Sequence, residues 1–403
     1  MKKTELLAPA GDLECVKAAL RFGADAVYVG GPQLQLRAQS AGMTMDDVAQ
    51  AVALAHEAGK KLYVTVNCFV KDTEIDTLTD YGKALYELGV DAVIVSDLGA
   101  VATLRGAVPK LAVHISTQAN CQNAATALAY YQMGVRRVVL AREMTISEIA
   151  EMRSRLPDDM EMEAFVHGAM CMAFSGRCFI SSMLTGRSGN RGECTQPCRW
   201  GYALMEQKRP GEYFPVEETE SGTNIISSRD LNCLGILDRL QAAGVSSYKI
   251  EGRMKTPFYV ATVVGAYRRK IDGTATDEQL MRELNAISHR PYATGFYEEY
   301  LFKYNPDLQL PYVSECSFAG TVLKAEDGRF FMEQRGKFEV GDTLEVVSPN
   351  SLGLSFTVTH IEDEEGNAME SAPHAMQKVW VDCPYRLEAG DLIRKRLVFD
   401  EEK

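Results

Sequence analysis

The feature that most constrains this chain is a phrase repeated through its first 250 residues: an amphipathic stretch, a glycine, one or two residues, then a short apolar run rich in β-branched side chains. It reads Phe22-Gly23-Ala24-Asp25-Ala26-Val27-Tyr28-Val29, and returns at Ala58-Gly59, Leu88-Gly89, Met133-Gly134 and Ala243-Gly244. A glycine that ends a helix, followed at once by an apolar run, is the joint between a helix and a strand buried on both faces of a parallel sheet. Strands also fit Glu5–Ala8, Leu111–Ser116 and Glu161–Val166, which makes eight βα units. Eight predicts an α/β fold of the (β/α)8, TIM-like barrel type over residues 1–270, with an open doubly wound sheet as the alternative.

Polar residues stand where the strands should end, the face that carries active sites in such barrels. They are Asn67; Ser96 and Asp97; Thr117, Gln118 and Asn120; Arg142 and Glu143; His167 and Gly168; and Glu251, Gly252 and Arg253. Individually they also read as loop or cap residues. About 60 residues, Cys171 to Arg229, interrupt the seventh unit where two to six would be usual, giving a cysteine-rich insertion over 168–233. Within it, Tyr202–Gln207 and Asn224–Ser227 read as hairpin strands flanking an acidic turn, Glu217–Gly222. Asp230 reads as the N-cap of the resumed helix, with Cys233 in its first turn. Residues 271–314 read as a connector. From Glu315 short alternating strands are punctuated by Asp327-Gly328, Gly341-Asp342, Gly366-Asn367 and Gly390-Asp391, which predicts a small antiparallel β-barrel over 315–403.

Lys and Arg number 43 against 55 Asp and Glu, a net charge of −12, so a generic polyanion binder is excluded and DNA is not an expected partner. No apolar run approaches the roughly 18 residues of a spanning helix, and the opening Met1-Lys2-Lys3-Thr4-Glu5 is too short and acidic for a signal peptide. The expectation is a cytoplasmic protein with no membrane partner. Its ten cysteines then read as thiols or metal ligands. Cys171, Cys178, Cys194 and Cys198 fall within 28 residues, with Cys233 at the next helix. Zinc favours tight pairs and only Cys194 and Cys198 form one, whereas an iron–sulfur cluster tolerates scattered thiolates; buried thiols are the plain alternative. Cys15, Cys68, Cys121, Cys316 and Cys383 read as packing residues. Two basic stretches, Arg177 to Arg209 and Lys249 to Lys270, suit phosphates or an anionic small molecule, or are solvated surface. No His-Glu-x-x-His or Gly-x-Ser-x-Gly motif points to a hydrolase.

The segment Glu163-Ala164-Phe165-Val166-His167-Gly168-Ala169-Met170-Cys171, continuing through Ser175-Gly176-Arg177-Cys178, resembles the signature of the collagenase-like peptidases, family thirty-two of the peptidases of unassigned mechanism. Glu5-Leu6-Leu7-Ala8-Pro9-Ala10-Gly11, Ser228-Arg229-Asp230-Leu231 and Lys249-Ile250-Glu251-Gly252-Arg253 resemble it too, so the likeness runs nearly the length of the chain. That family's better understood branches are hydroxylation proteins for tRNA wobble uridine, a ribosomal RNA cytidine, or ubiquinone; Cys194-Thr195-Gln196-Pro197-Cys198-Arg199-Trp200 resembles the tRNA branch. The resemblance implies a [4Fe–4S] cluster on Cys171, Cys178, Cys194 and Cys233, with Cys198 able to replace Cys194, and prephenate as co-substrate. Arg142 and Arg253 would then clamp its carboxylates, Gln118, Glu251 and Arg177 would help bind it, and His167 and Glu143 would move protons. An ion pair of Arg142 with Glu251, or of Arg253 with Glu143, is the structural alternative. The expected function is oxygen-independent hydroxylation of tRNA wobble uridine to 5-hydroxyuridine, with tRNA and a related protein subunit as partners and the C-terminal barrel docking the RNA. The alternatives are a collagenase-like peptidase, hydroxylation of ribosomal RNA or a quinone, and a cluster protein without turnover of its own.

Overall fold

A computed structural model describes residues 4–36, 42–170, 180–189, 192–197, 229–298 and 312–397, and the backbone of 204–205, 213–214, 217–219 and 222–224. By internal contacts the chain divides into two compact units: residues 1–20, 24–255 and 290–311, and residues 21–23, 256–289 and 312–403.

In the first unit the parallel strands Glu5–Pro9, Ala26–Gly30, Lys61–Val66, Ala92–Val95, Ala112–Ile115, Arg137–Val139, Glu161–Ala169 and Val245–Ile250 follow one another around a sheet. The last pairs with the first, Ser247 opposite Glu5, and with the seventh, Lys249 opposite Phe165, so the sheet closes into an eight-stranded barrel. The repeated glycines are the joints expected of them: Gly23, Gly59, Gly89, Gly134 and Gly244 all have φ between +67° and +99°, a region side chains with a Cβ seldom enter. Among the described residues no helix is long and apolar enough to cross a membrane.

The barrel interior is unusually polar. Arg137, from the sixth strand, meets Glu161 at 2.8 Å and Glu163 at 3.3 Å and also bonds Glu5, while Lys249 Nζ lies 2.8 Å from Glu163. Glu163 is 0% exposed and Arg137 and Lys249 are buried, so each charge depends on its partners. His114 sits in the same interior with its ring edge-on to Tyr63. Burial, reinforced by the positive charges of Arg137 and Lys249, pushes its pKa well below the usual imidazole value, so it is neutral at pH 7.

The insertion departs from its expected form. Asp230 is not a helix cap: Asp230–Asn232 is a short strand, antiparallel to the seventh barrel strand and parallel to Tyr292–Ala293, and the Asp230 carboxylate is spent on Arg290 at 2.7 Å. Cys233 leads into a single 3-10 turn, Leu234–Ile236, before the helix Leu237–Ala242. Leu204–Met205 pairs with Tyr213–Phe214, and the acidic stretch Glu217–Thr219 is itself a strand, paired with Gly222–Asn224.

The second unit combines the helices Pro257–Asp272 and Asp277–Asn285 with an eight-stranded antiparallel sheet between Cys316 and Arg396. The sequence places residues 256–270 with the barrel, whereas their contacts group them here. Phe330, Phe338, Leu344, Ile361 and Ile393, all 0% exposed, anchor its apolar core. Buried Arg394 joins Glu283 of the second helix, at 2.8 Å, to Glu345 of the sheet, at 2.7 Å. Burial works to raise the Glu345 pKa, but hydrogen bonds from Arg396 and Arg394 outweigh it and bring it down to about 2.

Candidate functional site

The seventh strand, nine residues against three to six in the others, outruns its neighbours at the C-terminal end of the barrel. There it lies between the eighth strand and Asp230–Asn232, so that His167 faces both Ile250 and Asn232. The Cys233 N–H donates to the Val166 carbonyl at 2.9 Å and the Glu251 N–H to the His167 carbonyl at 2.8 Å. Three residues far apart in sequence are thereby gathered by main chain alone. Arg142 Nη1 donates to the Ala169 carbonyl at 2.8 Å, Nη2 meets Glu251 at 3.2 Å, and the guanidinium stacks 3.9 Å from the Phe165 ring centre. The Arg142–Glu251 ion pair therefore forms, and it orients both groups.

A strap that sequence patterning treats as connector crosses this region. Tyr297 donates its hydroxyl hydrogen to the Phe165 carbonyl at 2.7 Å, and its own carbonyl accepts the Ile146 N–H at 3.1 Å. The Tyr292 ring lies 5.4 Å from that of His167, which is itself buried. Burial first, then the charges of Cys233 and Glu143 against an opposing Arg142, push the Tyr297 pKa well above the usual phenol value. Cys233, 0% exposed, has its thiol pKa raised by burial, with Glu298 adding to it.

Across the barrel end, Arg253 is buried and donates through Nη1 to Gln35 Oε1 at 2.8 Å and to Thr65 Oγ1 at 3.1 Å. The loop carrying Gln35 is held by Asn67, whose Oδ1 accepts the Leu36 N–H at 3.3 Å. Gly192 sits so close to this loop that a Cβ would lie 2.8 Å from the Gln35 carbonyl oxygen, and the chain then runs directly to Cys194. Half-buried Cys194 accepts a hydrogen bond on Sγ from the Gln196 N–H at 3.4 Å. The two halves of the site meet at Tyr28, whose hydroxyl donates to the Ile250 carbonyl at 2.9 Å. Its pKa is pushed up by burial and by Glu251, against the charges of Arg253 and Arg142.

Cys171, Cys178, Cys198 and Arg177 lie outside the described residues, and among those described no three His, Cys, Asp or Glu side chains could hold a metal ion. Gln118 follows the fifth strand, and its buried Oε1 has no hydrogen-bond partner among the described residues. Several strand-end residues are structural. Asp97 caps the helix Leu98–Ala107, Ser96 donates to the Asn67 carbonyl, and Thr117 donates to the Leu140 carbonyl. Cys15, Cys68, Cys121, Cys316 and Cys383 are all buried. Sequence reasoning assigned no role to Tyr28, Gln35, Thr65, Tyr292 or Tyr297; the only available signal was aromatic and polar residues beside otherwise ordinary loops.

Comparison with known proteins matches residues 11–305 to Peptidase family U32 and residues 314–394 to the Peptidase family U32 C-terminal domain. The chain is 36% identical to the tRNA hydroxylation protein P of Escherichia coli, over 96% of this chain and 95% of that one. It is 37% identical to the tRNA hydroxylation protein P1 of Bacillus subtilis, over 98% and 95%. A collagenase of Porphyromonas gingivalis is 31% identical over 86% and 87%.

Proposed function

The chain belongs to Peptidase family U32, and from that membership and the barrel mouth we propose that it is an RNA hydroxylation enzyme of the cytoplasm whose substrate is tRNA. The product assigned to it is 5-hydroxyuridine at the wobble position, formed without molecular oxygen and with prephenate as co-substrate. The observation that carries the reading is near-full-length identity, above 35% in two relatives, to proteins named for tRNA hydroxylation.

Cys171, Cys178, Cys194 and Cys233 would hold a [4Fe–4S] cluster, with Cys198 as the alternate to Cys194. The donor chemistry of the described pair fits such a group: a main-chain N–H already points at the Cys194 sulfur, and Cys233 is withdrawn from water. A bound cluster supplies one-electron transfer and a Lewis-acidic iron. The chain's own groups do the rest. Arg253, positioned by Gln35 and Thr65, presents a buried cation for a carboxylate, with Gln118 and Arg177 as further contacts. Arg142, braced by Glu251 and the Phe165 ring, supplies a second positive centre. Glu143 and His167 are assigned to proton transfer, and Tyr292 and Tyr297 exclude water from the seventh-strand side.

The test is nucleoside analysis of tRNA from a deletion strain complemented with wild type or Cys171→Ser, alongside iron and acid-labile sulfide assays on protein purified without oxygen. The reading expects 5-hydroxyuridine to vanish on deletion and return only with wild type, and about four iron and four sulfide per chain. Unchanged tRNA nucleosides with protein cleavage by the purified chain would replace it with a peptidase.

A further inference from the structure

We propose that the outward face of the C-terminal sheet is a stacking platform for unpaired RNA bases, built on Trp380 and Phe331. This rests on the reading that the substrate is RNA. The strands Cys316–Glu326, Arg329–Gln334 and Lys378–Asp382 lie side by side, and their register sets Lys324, Phe331 and Trp380 in one row. Their sequence neighbours Phe330, Met332, Val379 and Val381 are at most 1% exposed and fill the core, so the row points away from it. The two rings are half-buried, with centroids 5.1 Å apart.

Trp380 is one of two tryptophans in the chain, and it stands on the outside of the sheet although an apolar core lies directly beneath. An indole left there loses the burial that would reward it inside, which marks the face as one that meets a partner. The surrounding charges say which. Lys324 Nζ lies 4.7 Å from the Trp380 ring centre and 5.3 Å from that of Phe331, and the Arg329 guanidinium 4.4 Å from Trp380. The adjacent carboxylates are largely committed: Glu326 and Glu362 to Arg329, and Glu333 to Arg335 at 2.8 Å. Lys324 makes no ion pair among the described residues and stands beside both rings, while Glu362 continues the row beyond Trp380, Asp382 stands opposite Arg329 and Lys378 opposite Glu333. Rings that take a base on their face, next to cations that take its phosphate, are what a single-stranded segment requires; a duplex keeps its bases stacked and out of reach.

The experiment measures the affinity of the full-length, cluster-loaded protein for bulk tRNA, an anticodon stem-loop and a blunt RNA duplex at fixed salt. Trp380→Ala and Phe331→Ala are each expected to weaken stem-loop binding about tenfold and leave duplex binding unchanged. Lys324→Glu, an exposed change that leaves the core intact, is expected to weaken it several-fold and lower the slope of log affinity against log salt by about one. It serves as the decisive variant should Trp380→Ala fail to fold. Wild-type stem-loop affinity in both Trp380→Ala and Lys324→Glu, with tRNA hydroxylation intact, would overturn the platform and leave the enzymatic reading standing. A change of oligomeric state in Trp380→Ala at unchanged RNA affinity overturns it in favour of contact between copies of the chain. If the wild type neither binds RNA nor alters tRNA nucleosides, the underlying reading fails first, and the platform with it.

Discussion

The interior of the barrel and the core of the C-terminal unit solve the same packing problem with opposite materials. The second is an apolar cluster of aliphatic and aromatic side chains from Ala319 to Ile393. Beside its own apolar residues, the first carries Glu5, Arg137, Glu163 and Lys249 in a linked set of ion pairs, with His114, Tyr63 and Ser247 among them. Apolar packing rewards volume and tolerates exchange, whereas a buried charge is satisfied only at one height and one angle. The barrel thereby fixes where Lys249 and Phe165 stand, and Phe165 in turn carries the Arg142 guanidinium. Ionic filling here is a positioning device more than a source of stability.

Five variants would break or sharpen that contrast. Glu163→Leu takes from buried Lys249 the carboxylate it pairs with, leaves Arg137 to Glu5 and Glu161, and should cost about 3–5 kcal/mol in urea unfolding; a loss under 1 kcal/mol would sink the ionic scaffold. Adding Lys249→Met to it should recover part of that loss, the coupling that direct contact implies. Leu344→Ala opens a cavity in the apolar core and should cost about 3 kcal/mol, read through Trp380 fluorescence as a local probe and insensitive to salt. Tyr297→Phe leaves the Phe165 carbonyl without its hydroxyl donor, and should cost about 1 kcal/mol of stability but a larger share of hydroxylation activity. The last variant, Glu345→Gln, removes the carboxylate charge that Arg394 and Arg396 share. Glu345 titrates at about 2 when folded against 4.5 in the reference chain, so its contribution is complete above about pH 5 and is lost as pH falls toward 2. The variant should flatten the acid limb of unfolding in that window.

The barrel was legible because its rule is local. Five joints carry a glycine with positive φ followed by a buried strand, and the three remaining strands stand out as apolar runs between them, which makes eight units. The antiparallel character of the C-terminal sheet was legible for a similar reason, through alternation and turn dipeptides. His167, Glu251 and Arg142 stand out in the sequence because they end strands, and the Arg142–Glu251 pair was foreseen as the structural alternative. What could not be read depended on distant partners. Asp230 looked like a helix cap, but its carboxylate is committed to Arg290, 60 residues away. Tyr292 and Tyr297 belong to a strap whose register is set by the seventh strand and the Asp230–Asn232 strand rather than by any period of its own. The ionic interior was equally hidden: Glu163 and Lys249 have ordinary strand spacing, and nothing local says they face each other.

The strap also orders events during synthesis. The barrel's eighth strand ends at Ile250, yet the mouth is incomplete until Tyr297 has bonded to the seventh strand, after the two helices of the other unit have been made. A nascent chain halted at residue 255 would have every strand of its barrel and an open rim around Cys233.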